Sequence, residues 1–303
     1  MLRNALAYSI LGGVILCVPH VTAAQSTPTS LDVPPVSIPF LVTDRQGAPV
    51  SGITQADIVI QDEKAPPKAV IGIRPARDLP LRLAVLVDDS GSERSNRSFP
   101  AAVKSLGLFL PHALADEGRA LVIVFPIEPN ASEFMDRDQL AQFTIRLNPF
   151  GSTDLYDSIA LACQRLNAEN TKSAWPVLLV LTDGDDDASR TNLEAAIKAI
   201  QNSRAALFVV DTGNEKKSGP KLEAHRHHVY KRFAEEAGGL VYFERPAEDM
   251  AKVFATIKEQ MDSMYLLTYV PAQSRGNGHH SVEIKPASNK EWSVHAARGY
   301  DEK

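Results

Sequence analysis

Two apolar runs, each ending in a carboxylate, constrain this chain more than anything else in it. The first is Leu83-Ala84-Val85-Leu86-Val87, followed by Asp88-Asp89-Ser90-Gly91-Ser92. The second is Val177-Leu178-Leu179-Val180-Leu181, followed by Thr182-Asp183-Gly184. Apolar runs this short, bounded by turn residues, read as fully buried strands of a parallel sheet. In the first, Asp88, Ser90 and Ser92 form D-x-S-x-S. Residues two apart tend to point to the same side as a strand ends, so one carboxylate and two hydroxyls can converge on one point. Such hard oxygens suit a small hard cation such as Mg2+. In an open α/β sheet, ligands bind at this carboxyl end, near a topological switch point.

The surrounding rhythm supports that sheet. From Leu81 onward, apolar patterns alternate between strand and helix. Helices are expected over residues 99–114, 137–147, 155–166, 193–200, 221–237 and 249–261, and strands over 121–125, 205–210 and 240–243. This alternation predicts an α/β fold with a doubly wound, mostly parallel sheet covered on both faces. The two ends of the chain read differently. Residues 36–43, 58–60 and 69–73 are strand-like, with Asp62-Glu63-Lys64 expected as a hairpin turn. Residues 265–270, 281–285 and 292–296 are strand-like again, with a turn at Arg275-Gly276-Asn277-Gly278. Neither set is large enough to bury a core alone. Both ends are therefore expected to pair into one smaller β-sandwich-like module. The expected division is an N-terminal β segment (36–80), a central domain (81–264) and a C-terminal β segment (265–303).

A third piece lies between the two strand runs: Gly151-Ser152-Thr153-Asp154-Leu155, at the start of a helical pattern. D-x-S-x-S, then G-x-T-x-L, then T-D-G, in that order, resembles the metal-ion-dependent adhesion site (MIDAS) of the von Willebrand factor A (VWFA) family. The resemblance covers residues 81–264 and implies the Rossmann-like VWFA fold. The layout of the whole chain resembles secreted bacterial proteins with a VWFA-related domain. Val42-Thr43-Asp44-Arg45-Gln46-Gly47 and Ala297-Arg298-Gly299-Tyr300 carry that part of it. The resemblance implies that Asp88, Ser90, Ser92, Thr153 and Asp183 hold one divalent cation. Mg2+ is the first expectation, with Ca2+ or Mn2+ as alternatives. Neutral hydroxyl donors would leave that ion electrophilic, and a carboxylate of a partner protein could complete its shell. The implied function is metal-dependent protein binding, and no enzyme is expected. The alternatives are a metal-assisted hydrolase at the same site and a structural envelope protein with a vestigial site.

Other features bound these readings. Arg3, the apolar stretch 5–18 and Thr22-Ala23-Ala24 read as a secretory signal over residues 1–24, cleaved before Gln25. The apolar stretch is short for a membrane span, so no stable span is expected after cleavage, and the location is periplasmic or secreted. Residues 25–35, rich in Ser, Thr and Pro, read as a flexible arm. The net charge of −5 offers no basic surplus for a nucleic-acid partner. Cys163, left alone after cleavage, reads as a small buried hydrophobe. No G-x-S-x-G elbow, P-loop or H-E-x-x-H motif occurs in the sequence. His225, His227, His228, His279 and His280 read as solvent-facing rather than as a zinc set. Glu93, directly after D-x-S-x-S, departs from the family pattern and reads as facing solvent. Asp185-Asp186-Asp187 reads as a solvated acidic loop, with extra ligands favouring Ca2+ as the other reading. Asn96-Arg97-Ser98 and Asn130-Ala131-Ser132 match the short glycosylation acceptor pattern.

Overall fold

The computed structural model describes residues 33–302 except 126–129, 170–173, 185, 214–218, 244–245 and 288–289. The expected signal segment and most of the arm lie outside the described residues. The first three strands are β1 (Val36–Thr43), β2 (Ile58–Asp62) and β3 (Ala69–Pro75). Then comes β4 (Leu81–Asp88), the first apolar run. It is followed by α1 (Ser98–Ala113), β5 (Arg119–Phe125), β6 (Asn130–Ala131), α2 (Arg137–Gln142) and α3 (Leu155–Ala168). The second apolar run is β7 (Trp175–Thr182), followed by α4 (Leu193–Ser203), β8 (Ala206–Asp211), α5 (Pro220–Ala237), β9 (Leu240–Tyr242) and α6 (Met250–Asp262). Four strands close the chain: β10 (Tyr265–Val270), β11 (His279–Pro286), β12 (Ser293–Ala296) and β13 (Gly299–Asp301).

The central sheet has the order β6-β5-β4-β7-β8-β9. All of its neighbours run parallel except the short edge strand β6. β4 sits between β5 and β7, with Leu83 level with Ala120 on one side and Val177 on the other. The order reverses at β4, so its carboxyl end is the switch point. Alternation along the strands divides the core into two layers. Leu83, Val85 and Val87 pack with Leu179, Phe208 and the inner faces of α1 and α6. Ala84 and Leu86 pack with Leu178, Val180, Leu207 and α3, α4 and α5. Burial of each such Val or Leu is worth about 1.5–3 kcal/mol, which is why polar residues appear only where these strands end. Cys163 lies within the second layer as a buried free thiol, and burial pushes its pKa up to about 12.

The two chain ends do combine. One antiparallel sheet has the order β12-β1-β10-β3, and a second has β13-β11-β2. Val36, Ile38, Phe40, Tyr265, Leu267, Tyr269, Val282 and Ile284 share one core. The expected hairpin is a correction. Asp62 and Ala65 do form a tight turn, their N–H groups donating to each other's carbonyls at 2.8 and 3.0 Å. Glu63 and Lys64 occupy the left-handed region within it. However, β2 leaves to pair with β11 and β3 pairs with β10. Pro66 and Pro67 explain the divergence, because neither has an N–H with which to continue a ladder.

The expected helix over 137–147 also ends early, at Gln142. Residues 143–150 form neither helix nor strand, and the backbone of Asn148, Pro149 and Phe150 is engaged elsewhere, as described below. The β module meets the central domain along α4 and α5. Asn202 exchanges hydrogen bonds with Asp301 at 2.9 Å in both directions, and the Arg298 N–H donates to the Glu236 carbonyl at 3.0 Å. Gly238 caps α5 with φ 70°. A Cβ there would lie 2.0 Å from the Ala296 carbonyl carbon, so only glycine fits.

Candidate metal centre

The carboxyl edge of the central sheet is lined with acids. Three adjacent strands reach it as Val87-Asp88, Thr182-Asp183 and Val210-Asp211. Asp88 is fully buried. Its Oδ1 accepts from the Ser90 N–H at 2.9 Å, and its Oδ2 accepts from the Thr182 hydroxyl at 2.6 Å. The Ser90 and Ser92 hydroxyls are 3.0 Å apart, and Ser92 Oγ donates to Asp183 Oδ1 at 2.8 Å. Asp88, Ser90, Ser92 and Asp183 are therefore joined in one hydrogen-bonded run, first through the Ser90 backbone N–H and then through the two hydroxyls. Ser92 is exposed and Asp183 half-buried, so this run extends from the interior to solvent.

Thr153 stands on the facing loop, itself largely buried. Its link to the cluster runs through the backbone: the Gly91 N–H donates to the Gly151 carbonyl at 3.0 Å. Asp89 adds two further clamps. Its Oδ2 accepts from the Asn148 N–H at 2.8 Å, and its carbonyl accepts from the Phe150 N–H at 2.9 Å. Arg94 reaches the Pro149 carbonyl at 3.0 Å. These bonds hold residues 148–151 against the D-x-S-x-S turn. The acidic loop is another correction. Asp187 Oδ1 accepts from the Thr153 N–H at 2.7 Å, and Asp186 Oδ1 accepts from the Tyr156 N–H at 3.1 Å. Half-buried Asp186 and exposed Asp187 thus hold the loop that carries Thr153 while Asp187 stays solvated. Asp185 lies outside the described residues.

Glu93 overturns its sequence reading. It opens a single 3₁₀ turn (Glu93–Ser95) and is only 1% exposed. Its Oε1 accepts from the Thr212 hydroxyl, while its Oε2 is buried without a hydrogen-bond partner among the described residues. Oxygens of Asp88, Glu93 and Asp183 all lie within 4.8 Å of one another. Burial, and then the Asp183 charge, push the Asp88 pKa up to about 7. Burial, followed by the Asp183 and Asp88 charges, pushes Glu93 up to about 10. Three crowded acids with one orphaned oxygen fit a divalent cation: hard, acidic donors converge, and positive charge would reverse the repulsion between them.

A buried support lies behind them. Arg226 of α5 is 1% exposed and pairs with fully buried Asp211, Nε to Oδ2 at 3.3 Å. Its Nη1 donates to the Asp183 carbonyl at 3.1 Å. Gly213 makes room for the guanidinium, since a Cβ there would lie 2.6 Å from Nη1. Tyr230 OH donates to the Thr182 carbonyl at 3.3 Å. The sequence reading missed Asp211, Arg226 and Tyr230, although a third apolar strand ending in Asp was a signal for the first.

The histidines are not all exposed. His225 and His228 face solvent, while His227 is half-buried, edge-on to Phe243. His280 is fully buried in the β module, with Nδ1 2.7 Å from Asp62 Oδ1 and its ring stacked on Tyr300. Of the two glycosylation patterns, Asn96 is buried, with Oδ1 accepting from the Ser98 N–H at 3.2 Å.

No protein-family model matches this sequence, and no curated protein matches it. Solved structures do resemble it. A von Willebrand factor type A protein from Catenulispora acidiphila is 13% identical, with 90% of this chain and 74% of that one covered and a TM-score of 0.47. The von Willebrand domain of the type V pilus tip protein Mfa5 from Porphyromonas gingivalis is 13% identical, with 61% and 95% covered and a TM-score of 0.47. The pilus adhesin SpaC from Lactobacillus rhamnosus GG, in its open conformation, is 9% identical, with a TM-score of 0.50. That match covers 86% of this chain but only 47% of SpaC. At such identities the likeness concerns the fold alone. With the sheet order and the two-layered core, it gives the chain a VWFA-related fold: a mostly parallel sheet flanked by helices, with a separate antiparallel β module.

Proposed function

We propose that this protein is an exported binding module that engages an acidic side chain of a partner protein through a divalent cation. Asp88, Ser90, Ser92, Thr153 and Asp183 hold that cation in this reading. The observation that carries it is the continuous hydrogen-bonded run from buried Asp88 through the backbone and hydroxyl of Ser90 and the hydroxyl of Ser92 to Asp183, at the switch point of the sheet. A bound divalent ion supplies a Lewis-acidic position that a carboxylate oxygen can fill. The residues of the chain do the rest. Asp88 and Asp183 bring charge, the Ser90 and Ser92 hydroxyls bring weak neutral donors, and the clamped 148–151 loop keeps Thr153 opposite them. Exposed Ser92 and half-buried Asp183 leave one side of the group within reach of another molecule. Mg2+ is the ion that the resemblance to the adhesion site favours.

Export rests on Arg3, the apolar stretch and Thr22-Ala23-Ala24. Among the described residues, no helix is long and apolar enough to cross a membrane. The deciding experiment is capture of envelope proteins by the purified chain in Mg2+ or in EDTA, with wild type beside Asp88→Ala. Capture that needs both the ion and Asp88 is the expected result. Capture indifferent to EDTA and to Asp88→Ala would overturn the reading and leave a structural role.

A further inference from the structure

Glu93 is not among the residues that the adhesion-site pattern calls for, yet its side chain is more deeply buried than Asp183. The chain turns tightly after Ser92, in the 3₁₀ segment Glu93–Ser95, and that turn carries the side chain back toward the sheet edge. The Thr212 hydroxyl, at the end of β8, fixes one of its oxygens. The other, Oε2, is buried and has no hydrogen-bond partner among the described residues. A buried polar atom left unsatisfied costs about 1–3 kcal/mol, and more when charged. Oxygens of Asp88 and Asp183 lie within 4.8 Å of the Glu93 carboxylate. A carboxylate so placed, buried beside two others and with one oxygen unsatisfied, has a cation as its natural partner.

We infer that Glu93 is itself a ligand of the cation, and that this third carboxylate makes the centre prefer Ca2+ over Mg2+. The inference rests on the cation reading of the site and revises its choice of ion. Mg2+ demands near-ideal octahedral geometry, gives up water reluctantly and is usually held by one or two carboxylates. Ca2+ takes 6–8 oxygens in flexible geometry, and its affinity rises with the charge of the ligand set. Three carboxylates and the Ser90 and Ser92 hydroxyls, gathered by a tight turn and two strand ends, form a set of the second kind. Thr212 acts as a positioning residue, because its hydroxyl orients Glu93 and leaves the second oxygen for the ion.

The test is calorimetric titration of the full chain, stripped of metal by a chelator, with CaCl2 and with MgCl2. Wild type, Glu93→Gln, Glu93→Asp and Asp88→Ala are compared. Wild type is expected to bind one Ca2+ at least tenfold more tightly than Mg2+. Glu93→Gln, which keeps shape but not charge, should weaken Ca2+ at least tenfold and Mg2+ less, so that the preference shrinks. Should Glu93→Gln fail to fold, Glu93→Asp, with its charge drawn back by one methylene, must show the same direction of change. Asp88→Ala should lose both ions. If wild type binds neither ion, the cation reading itself falls. If wild type binds but the Glu93 variants keep its affinities within twofold, Glu93 is no ligand and the cation reading stands. Mg2+ binding as tightly as Ca2+ overturns the ion preference.

Discussion

Asp62 and His280 stand 218 residues apart in sequence and 2.7 Å apart in space, both within the core of the β module. The Asp62 carboxylate also accepts from Tyr269 OH at 2.8 Å and Tyr300 OH at 2.9 Å. It therefore ties together β2, β10, β11 and β13. Asp62→Ala would orphan two buried hydroxyls and one ring nitrogen. Each costs about 1–3 kcal/mol, so a loss of about 3 kcal/mol or more is expected. Asp62→Asn, which keeps an acceptor, should cost less. Urea unfolding followed by tyrosine fluorescence would measure both. Equal stability of Asp62→Ala and wild type would remove the cluster from any structural role.

Cation binding should stabilise the folded chain, because the unfolded chain has no assembled site. At a concentration one hundred times its Kd, an ion adds about 2.7 kcal/mol. Millimolar Ca2+, Mn2+ or Mg2+ should raise the Tm of wild type, and EDTA should reverse the shift. Asp88→Ala should fold and lose the response. A Tm unmoved by all three ions would refute a site at this edge.

The metal-free protein should become less stable as pH rises. Asp88 and Glu93 have folded pKa values raised to about 7 and about 10 by burial and by neighbouring carboxylates. The unfolded chain releases these protons near the ordinary values of 3.8 and 4.5. The folded state therefore binds more protons throughout that window. The stability they confer is full below it and declines as pH climbs through about 7 toward about 10. Urea midpoints in EDTA should fall from acid to alkaline pH, and saturating Ca2+ should flatten that slope. A midpoint that climbs over this range in wild type, but not in Glu93→Gln, would contradict the sign.

Arg226→Met should destabilise the central domain by about 3–5 kcal/mol, since it leaves buried Asp211 without its counter-charge. It should also weaken cation binding, because the guanidinium holds the Asp183 carbonyl in place. The double change Asp211→Asn with Arg226→Met should recover much of the stability but not the cation affinity. Thermal melts and calorimetry on the same samples separate the two effects.

Much of this was legible in the sequence, for a physical reason. A strand buried on both faces must be apolar until it ends, so Asp88 and Asp183 announce where their strands stop. The helices are periodic and the flanking strands alternate. What stayed hidden depends on contacts between distant parts of the chain. Glu93 looks like a surface residue until Thr212, 119 residues later, is set beside it. Arg226 sits in a helix so polar that its burial leaves no mark in the sequence pattern. The Asp62 turn has the local signature of a hairpin, and only Pro66 and Pro67, which cannot continue a ladder, mark the strands as diverging. For His280 the signal was present. It shares the inward face of β11 with Val282 and Ile284, and that period of two marks it as buried.

The strand order has a mechanical consequence. β3 leads into the central domain and β10 leads out of it, and the two are paired neighbours. The Ala76 N–H and the Met264 carbonyl close this neck at 2.8 Å. The whole α/β domain is thus an insert joined by one hairpin-like stalk and braced against the β module along α4 and α5. Tension between β1 and β13 would load the antiparallel ladders of the β module and would reach the inserted domain through the Asn202–Asp301 and Arg298–Glu236 hydrogen bonds. A partner pulling on the metal-bearing edge would instead draw on both arms of the stalk at once. The same molecule would then yield differently to load along its chain and to load at its binding end.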